Sequence, residues 1–267
     1  MSAPTITGNT RLFCIVGDPI VQVRSPQVYT EQFAAAGMDA VLVPMQVPAD
    51  RCAQVIPALM ALGNLDGLLV TAPLKARVAA FADRLGPTAS CIGAVNALRR
   101  EADGSWTGDM FDGEGFVRGL LAKGARVRGR RVLQFGAGGA GSAIACALAN
   151  AGAQSIRIVN PDARQTQSLI ASLAKVFPEC DVQPADVDRR DIDMIVNASP
   201  VGMRSGDGLP GDLGAVSSDT LIGDVVLTSS PTALIQVALD HGCQWANGHD
   251  MHSGQIDAIM NFFVART

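Results

Sequence analysis

Arg131-Val-Leu-Gln-Phe135 is a strand-length apolar run, followed at once by Gly136-Ala137-Gly138-Gly139-Ala140-Gly141 and then an Ala-rich stretch to Ala151. The order strand, G-x-G-x-x-G, helix gives the glycine pattern its meaning. The first glycine permits the tight turn, the second lets backbone approach a pyrophosphate, and the third lets helix and strand pack closely. Phosphate oxygens would sit on the free N–H groups at the positive end of the helix, so Gly136, Ala137, Gly138, Gly139 and Ala140 are the candidate cradle. The next strand, Ser155-Ile-Arg-Ile-Val159, ends at Asn160-Pro161-Asp162-Ala163-Arg164. A carboxylate such as Asp162 bonds a ribose 2′-hydroxyl and favours NAD, whereas Arg164 suits a 2′-phosphate and favours NADP. Asn-Pro-Asp is also good turn chemistry, and the cofactor stays open as NADP or NAD.

Outward from this loop the same alternation recurs. Strands are expected at Leu12–Val16, Val41–Met45, Gly67–Thr71 and Gly93–Leu98, with a turn and strand over Gly104–Asp109, then at Arg131–Phe135, Ser155–Val159, Asp193–Asn197 and Leu221–Val226. Between them lie helical stretches from Ser25, from Ala49 to Leu62, from Val78 to Leu85, from Gly115 to Lys123, and from Gln165 to Phe177. Strands alternating with helical crossovers imply an α/β fold with parallel sheets. The pattern restarts near residues 108–114, which predicts two α/β units, and a last helix near Ser253–Ala265 is expected to return to the first.

Composition narrows the function classes. Of 267 residues, 48% are hydrophobic, 17% charged and 4% aromatic, with net charge -4. That is enough apolar material for a core in each unit. The acidic balance offers no basic patch for nucleic acid. No apolar run reaches the roughly 18 residues of a membrane span, and the N-terminus shows no secretory pattern. Six scattered cysteines without C-x-x-C spacing suggest reduced, buried thiols, and neither they nor the three histidines form a metal pattern. The expectation is a cytoplasmic protein acting on a small-molecule substrate as a monomer or homodimer, with no nucleic-acid or membrane partner and no metal.

Six motifs in order then resemble the shikimate and quinate dehydrogenases. They are Gly17-Asp-Pro-Ile-Val-Gln-Val-Arg-Ser-Pro26, Gly67-Leu-Leu-Val-Thr-Ala-Pro-Leu-Lys75, Gly93-Ala-Val-Asn96, Gly108-Asp-Met-Phe-Asp-Gly-Glu-Gly-Phe116, Asn197-Ala-Ser-Pro-Val-Gly-Met203 and Gly248 to Gln255. The resemblance implies a substrate-binding domain of residues 1–110 and 248–267 and a Rossmann-type dinucleotide-binding domain of residues 111–247, with a cleft between them. It implies hydride transfer between nicotinamide and a secondary alcohol of a shikimate-like ring, within aromatic amino acid biosynthesis. It also implies Lys75 and Asp112 as the catalytic pair, and Ser25, Thr71, Asn96 and Gln255 as substrate contacts. Asn197, Ser199 and Gly248 join the candidate cofactor residues. The chemistry is reasonable in its own right: oxidising an alcohol releases a proton, which a Lys can accept, and a neighbouring carboxylate orients the amine.

The chain departs from the family where substrate is recognised. Val23 stands for a serine, Leu69 for an asparagine, and Leu227 for a tyrosine. Each change is from polar to aliphatic, and a lost hydrogen bond to a charged group costs about 1.5–3 kcal/mol. Arg24 is a candidate replacement contact for a carboxylate. His249 and His252 flank Met251 near Gln255 as candidate pocket-mouth residues. The expectation is a shikimate dehydrogenase-like NAD(P)-dependent oxidoreductase with altered substrate preference. The alternatives are an ordinary shikimate or quinate dehydrogenase, or a non-catalytic dinucleotide-binding regulator.

Overall fold

A computed structural model describes residues 5–185 and 191–265. The chain forms two compact α/β units, Met1–Phe111 with Ile256–Thr267, and Asp112–Gln255.

The first unit holds β1 (Arg11–Gly17), α1 (Ser25–Ala35), β2 (Ala40–Gln46), α2 (Cys52–Met60), β3 (Leu65–Val70), α3 (Lys75–Ala79), β4 (Arg84–Leu85), α4 (Pro87–Ile92), β5 (Ala97–Arg100) and β6 (Trp106–Asp109). Its sheet order is β2-β1-β3-β5-β6-β4. Alternation along β1 sends Phe13 and Ile15 to one face and Cys14 and Val16 to the other. Cys14 and Val16 join Leu68, Val70 and Leu98 against Ile56, Leu74 and Val78. Phe13 and Ile15 join Leu69 and Ala97 against Tyr29, Phe33, Ile259 and Phe263. Gly67 is needed there: a Cβ would stand 2.7 Å from Phe13 and 2.9 Å from Phe263. Those two rings close to 4.9 Å between centroids, and full burial of a Phe contributes about 1.5–3 kcal/mol. Arg99 fastens the chain end, donating to the Phe262 carbonyl at 2.8 Å and to Glu101 at 2.8 Å.

The all-parallel expectation fails in this unit. β5 runs antiparallel to both β3 and β6, because β5 and β6 are joined by a tight turn in which Glu101 N–H donates to the Ser105 carbonyl at 2.8 Å. A turn that short permits only a hairpin, since a parallel pair needs a crossover of a dozen residues or more. The expected helix at Val78–Leu85 is also corrected. α3 stops at Ala79, and Arg84–Leu85 pair with β6. The expected strand from Gly93 begins only at Ala97, because Pro87 starts a helix that Gly93 ends at φ 68°.

The second unit holds α5 (Asp112–Ala122), β7 (Arg131–Phe135), α6 (Gly139–Asn150), β8 (Ser155–Val159), α7 (Ala163–Val176), β9 (Asp181–Pro184), β10 (Met194–Asn197), β11 (Leu221–Asp224), α8 (Ala233–Asp240), β12 (Trp245–Ala246) and the first turns of α9 (Gly248–Val264). Its strands are parallel in the order β12-β11-β10-β7-β8-β9. This is the doubly wound Rossmann arrangement, and the order reverses between β7 and β10. β9, α8 and β12 were not expected. They are short, and two of them are edge strands with little apolar periodicity of their own. α9 starts earlier than the sequence pattern predicts, and the division between units falls within it, at Gln255/Ile256. Its first turns lie against α5 through glycines, which a hydrophobic period does not register.

Among the described residues no helix is long and apolar enough to cross a membrane, and no group of His, Cys, Asp or Glu could hold a metal ion. All six thiols are free and five are buried, Cys91 being half-exposed. Burial pushes the Cys14 thiol up to about 12.

Candidate functional site

In the second unit, ligands of such a sheet sit at the carboxyl ends of the strands, at the switch point. The loop there is Gly136 to Gly141, between β7 and α6. Its glycines separate into two kinds. Gly136 has φ 97°, and a Cβ would stand 2.7 Å from the Ala198 carbonyl oxygen. A Cβ on Gly141 would collide with the Gly136 carbonyl. Both are required by the fold. Gly138 has φ -66°, which any residue adopts, and a Cβ there would meet nothing within 4 Å. Folding does not require a glycine at that position. Gly138 is the N-cap of α6, with no side chain capping it, so the N–H groups of Gly139 and Ala140 lie at an open positive helix end.

Side chains around the loop hold it in place. Asn160 Oδ1 accepts from the Ala137 N–H at 3.2 Å, and its Nδ2 donates to the Asp162 carbonyl at 3.0 Å. Asp162 caps α7, its Oδ1 accepting from Arg164 N at 2.9 Å and Gln165 N at 3.0 Å. Arg164 is exposed. A cavity of about 320 Å³ opens beside this corner, lined by Val159, Asn160, Ala163, Thr166 and Pro184 among others. A larger polar hollow at the amino ends of the strands is lined by Arg131 and Arg157, but their ion pairs with Asp193 and Asp181 balance its charge.

Across the switch point Asn197 is buried and fully engaged. Its Nδ2 donates to Asp224 at 3.0 Å and to the Val201 carbonyl at 2.9 Å, and its Oδ1 accepts from Ser199 Oγ at 2.7 Å. Asn197 and Ser199 thus shape the loop after β10. Burial raises the Asp224 pKa, partly offset by donors on Thr232, Val226 and Asn197. Gly248 is demanded by packing, a Cβ there standing 2.5 Å from the Val225 carbonyl oxygen. The Asp224–Thr232 contact at 2.6 Å was not foreseen, since nothing local marks two polar residues eight apart as partners.

In the first unit the carboxyl ends of β1, β3 and the start of β5 are laced together. Thr71 N donates to the Val16 carbonyl at 2.9 Å, Val70 N to the Asn96 carbonyl at 2.8 Å, and Val95 N to the Lys75 carbonyl at 3.1 Å. Thr71, Lys75 and Asn96 therefore share one corner of the sheet. Lys75 is the first residue of α3 and half-buried. Asn96 is buried, and its Oδ1 accepts from Phe111 N at 2.9 Å. Ser25 is buried at the first position of α1, with Pro26 behind it. Leu69 is only 4% exposed and packs in the apolar cluster of Phe13, Phe33 and Phe263, with Val23 half-buried against the same cluster. Arg24 is exposed.

Back in the second unit, Asp112 is the buried first residue of α5. Gly115, one turn on, faces α9 so closely that a Cβ would stand 2.6 Å from the Met251 carbonyl oxygen and 2.7 Å from Gln255 Cβ. On Gly119 a Cβ would stand 2.8 Å from the Asp250 backbone. His252 Nδ1 lies 3.3 Å from Gln255 Nε2, and burial chiefly lowers the His252 pKa, with His249 lowering it further and Asp112 opposing. His249 Nε2 lies 3.2 Å from the Thr228 carbonyl oxygen, and Leu227 beside it is exposed. The i, i+3 spacing of His252 and Gln255 on one helix was the signal available for their pairing. The approach to Asp112 depends on the tertiary contact at Gly115.

The profile of the shikimate dehydrogenase substrate binding domain matches residues 15–98. The chain is 39% identical over 216 residues to the shikimate dehydrogenase (NADP(+)) of Rubrobacter xylanophilus, covering 79% of this chain and 75% of that one. It is 34% identical over 267 residues to the shikimate dehydrogenase (NADP(+)) of Geobacter sulfurreducens, covering 97% and 92%. Among solved structures it resembles shikimate 5-dehydrogenase from Listeria monocytogenes in complex with shikimate and NAD, with TM-score 0.88, 28% identity and 99% and 95% of the two chains covered.

Proposed function

The chain belongs to the shikimate dehydrogenase family, and from that premise we propose that it is an ordinary shikimate dehydrogenase: an oxidoreductase moving hydride between NADP or NAD and a ring hydroxyl of shikimate. The observation that carries the dinucleotide half is Gly138, a glycine that the fold leaves unexplained at an uncapped helix start. A pyrophosphate approaching the backbone explains it. Relatives named shikimate dehydrogenase (NADP(+)) support the substrate half at 34–39% identity.

The groups that would hold the dinucleotide are the backbone of Gly138, Gly139 and Ala140 at the pyrophosphate, and Asn160, Asp162 and Arg164 toward the adenosine. The loops kept in shape by Asn197, Ser199 and Gly248 complete the set. The dinucleotide, when bound, supplies the hydride acceptor or donor. Lys75 is the group assigned to the hydroxyl proton: it takes the proton during oxidation and returns it during reduction. Asp112 is the carboxylate that the family resemblance pairs with the catalytic lysine. Ser25, Thr71, Asn96 and Gln255 are assigned to the substrate's polar groups, a set large enough to place a ring with several oxygens.

A second reading is altered substrate preference, favoured by Val23, Leu69 and Leu227. The burial of Leu69 in the apolar cluster, with half-buried Val23 packed against it, weakens it, because those side chains serve the core. A substrate screen following nicotinamide absorbance with both dinucleotides separates the readings. Turnover of shikimate at kcat/KM of about 10⁴ M⁻¹s⁻¹ or more is expected. A value far below that, with faster turnover of a less polar ring alcohol, overturns the ordinary reading, and no dinucleotide binding overturns both.

A further inference from the structure

His252 is buried chemistry that the mechanism above does not use. It lies on α9 one turn before Gln255, with Nδ1 3.3 Å from the Gln255 Nε2. An amide nitrogen can only donate, so Nδ1 accepts and a neutral ring carries its proton on Nε2. That Nε2 is sealed from solvent and has no hydrogen-bond partner among the described residues.

The surroundings favour the neutral ring. Charged and titratable groups come from both elements. Asp112 acts on it from α5 and His249 from α9 itself. Asp250 of α9 is engaged by Lys123, just after α5, at 2.7 Å, and Glu114 of α5 by Arg118 at 2.6 Å. Burial outweighs the single favourable charge, Asp112, so the ring's pKa lies below its ordinary 6.5. Close packing at Gly115 holds the backbone and Cβ of Gln255 in place, so a change at the pair falls on the terminal amide.

We propose that His252 is a positioning residue that fixes which way the Gln255 amide points, and that its proton state thereby controls how well substrate binds. With the ring neutral, one Gln255 N–H is committed to Nδ1, leaving the amide oxygen and the second N–H to face other partners. Adding a proton at Nδ1 sets N–H against N–H. The amide must then turn over, exchanging donor for acceptor at the position offered to substrate. The proposal rests on the reading of Gln255 as a substrate contact, and it adds a pH control that the Lys75–Asp112 pair does not provide.

The test is steady-state kinetics with shikimate and the preferred dinucleotide from acid to neutral pH, on the wild type, His252→Leu and His252→Asn. In the wild type, KM for shikimate is expected to rise about tenfold on the acid side of the ring's titration, below pH 6.5, with kcat moving less. His252→Leu, with no acceptor for the amide, raises KM about tenfold at neutral pH. His252→Asn offers Oδ1 in place of Nδ1, restores most of that loss and has no acid limb. An unchanged acid limb in His252→Asn, or a wild-type KM in His252→Leu, overturns the proposal. Nitrogen-15 NMR of the imidazole reads the ring without any substrate. A His252 proton on Nε2 with titration below 6.5 is expected, and a proton on Nδ1 overturns the proposal. If shikimate is not turned over while the NMR result holds, the functional reading fails and the His252–Gln255 geometry stands.

Discussion

The β7–α6 loop and the carboxyl corner of the first sheet ask different things of their residues. At the loop the candidate recognition groups are backbone N–H, and the side chains matter by their absence, as at Gly138. At the corner the candidates are side chains: Thr71, Lys75 and Asn96. A backbone site leaves a glycine pattern that tolerates much change around it. A side-chain site depends on each donor separately, while the surrounding strands keep their backbone bonds. The difference teaches that the two halves of the proposed reaction should respond separately to substitution.

The largest separation is expected at Lys75. Lys75→Ala should lower kcat by about 10²–10⁴ while calorimetry finds dinucleotide affinity nearly unchanged. Asp112→Asn should do likewise, and the double variant should lose less than the product of the two. Wild-type turnover in Lys75→Ala would end the assignment.

Leu69 comes next. Because it is 4% exposed among aromatic rings, Leu69→Asn should cost about 2–4 kcal/mol of stability in chemical denaturation. It should not improve shikimate turnover. A stable Leu69→Asn protein with raised kcat/KM would return that position to the substrate site.

The glycines sharpen the other side. Gly138→Val should leave the melting temperature almost unmoved yet weaken dinucleotide binding about tenfold or more. Gly136→Val should instead unfold the protein, given its φ of 97° and the Ala198 contact. Equal melting temperatures in the two variants would erase the distinction between a glycine for the ligand and a glycine for the fold.

The smallest effect is reserved for Asp162. Asp162→Ala removes a carboxylate that would repel a 2′-phosphate, so the ratio of NADPH to NADH affinity should rise a few-fold. Loss of its capping bonds to Arg164 and Gln165 should cost about 1 kcal/mol of stability. An unchanged ratio would show that Asp162 serves only as a cap.

Legibility in the sequence followed the same divide. The βαβ alternation, the glycine loop and the ordered motifs around Lys75 and Asp112 are local patterns, and they can be read without coordinates. The hairpin of β5 and β6 was missed because alternation alone does not report connection length. α8 and β12 were missed because their apolar runs are short. The approach of Asp112 to the His252–Gln255 pair could not be read because α5 and α9 close on each other at Gly115, and at Gly254 where a Cβ would collide with the Gly115 carbonyl, and missing bulk leaves no local pattern.

By itself, then, the sequence determined the α/β class, the glycine loop between strand and helix and the residue types offered for chemistry, since each is written in neighbouring residues through period, turn and cap. Tertiary structure alone decided which glycine is free for a ligand and which side chains belong to the core. Those properties depend on atoms brought close from distant parts of the chain, and hydrogen bonding and steric exclusion act only at that range.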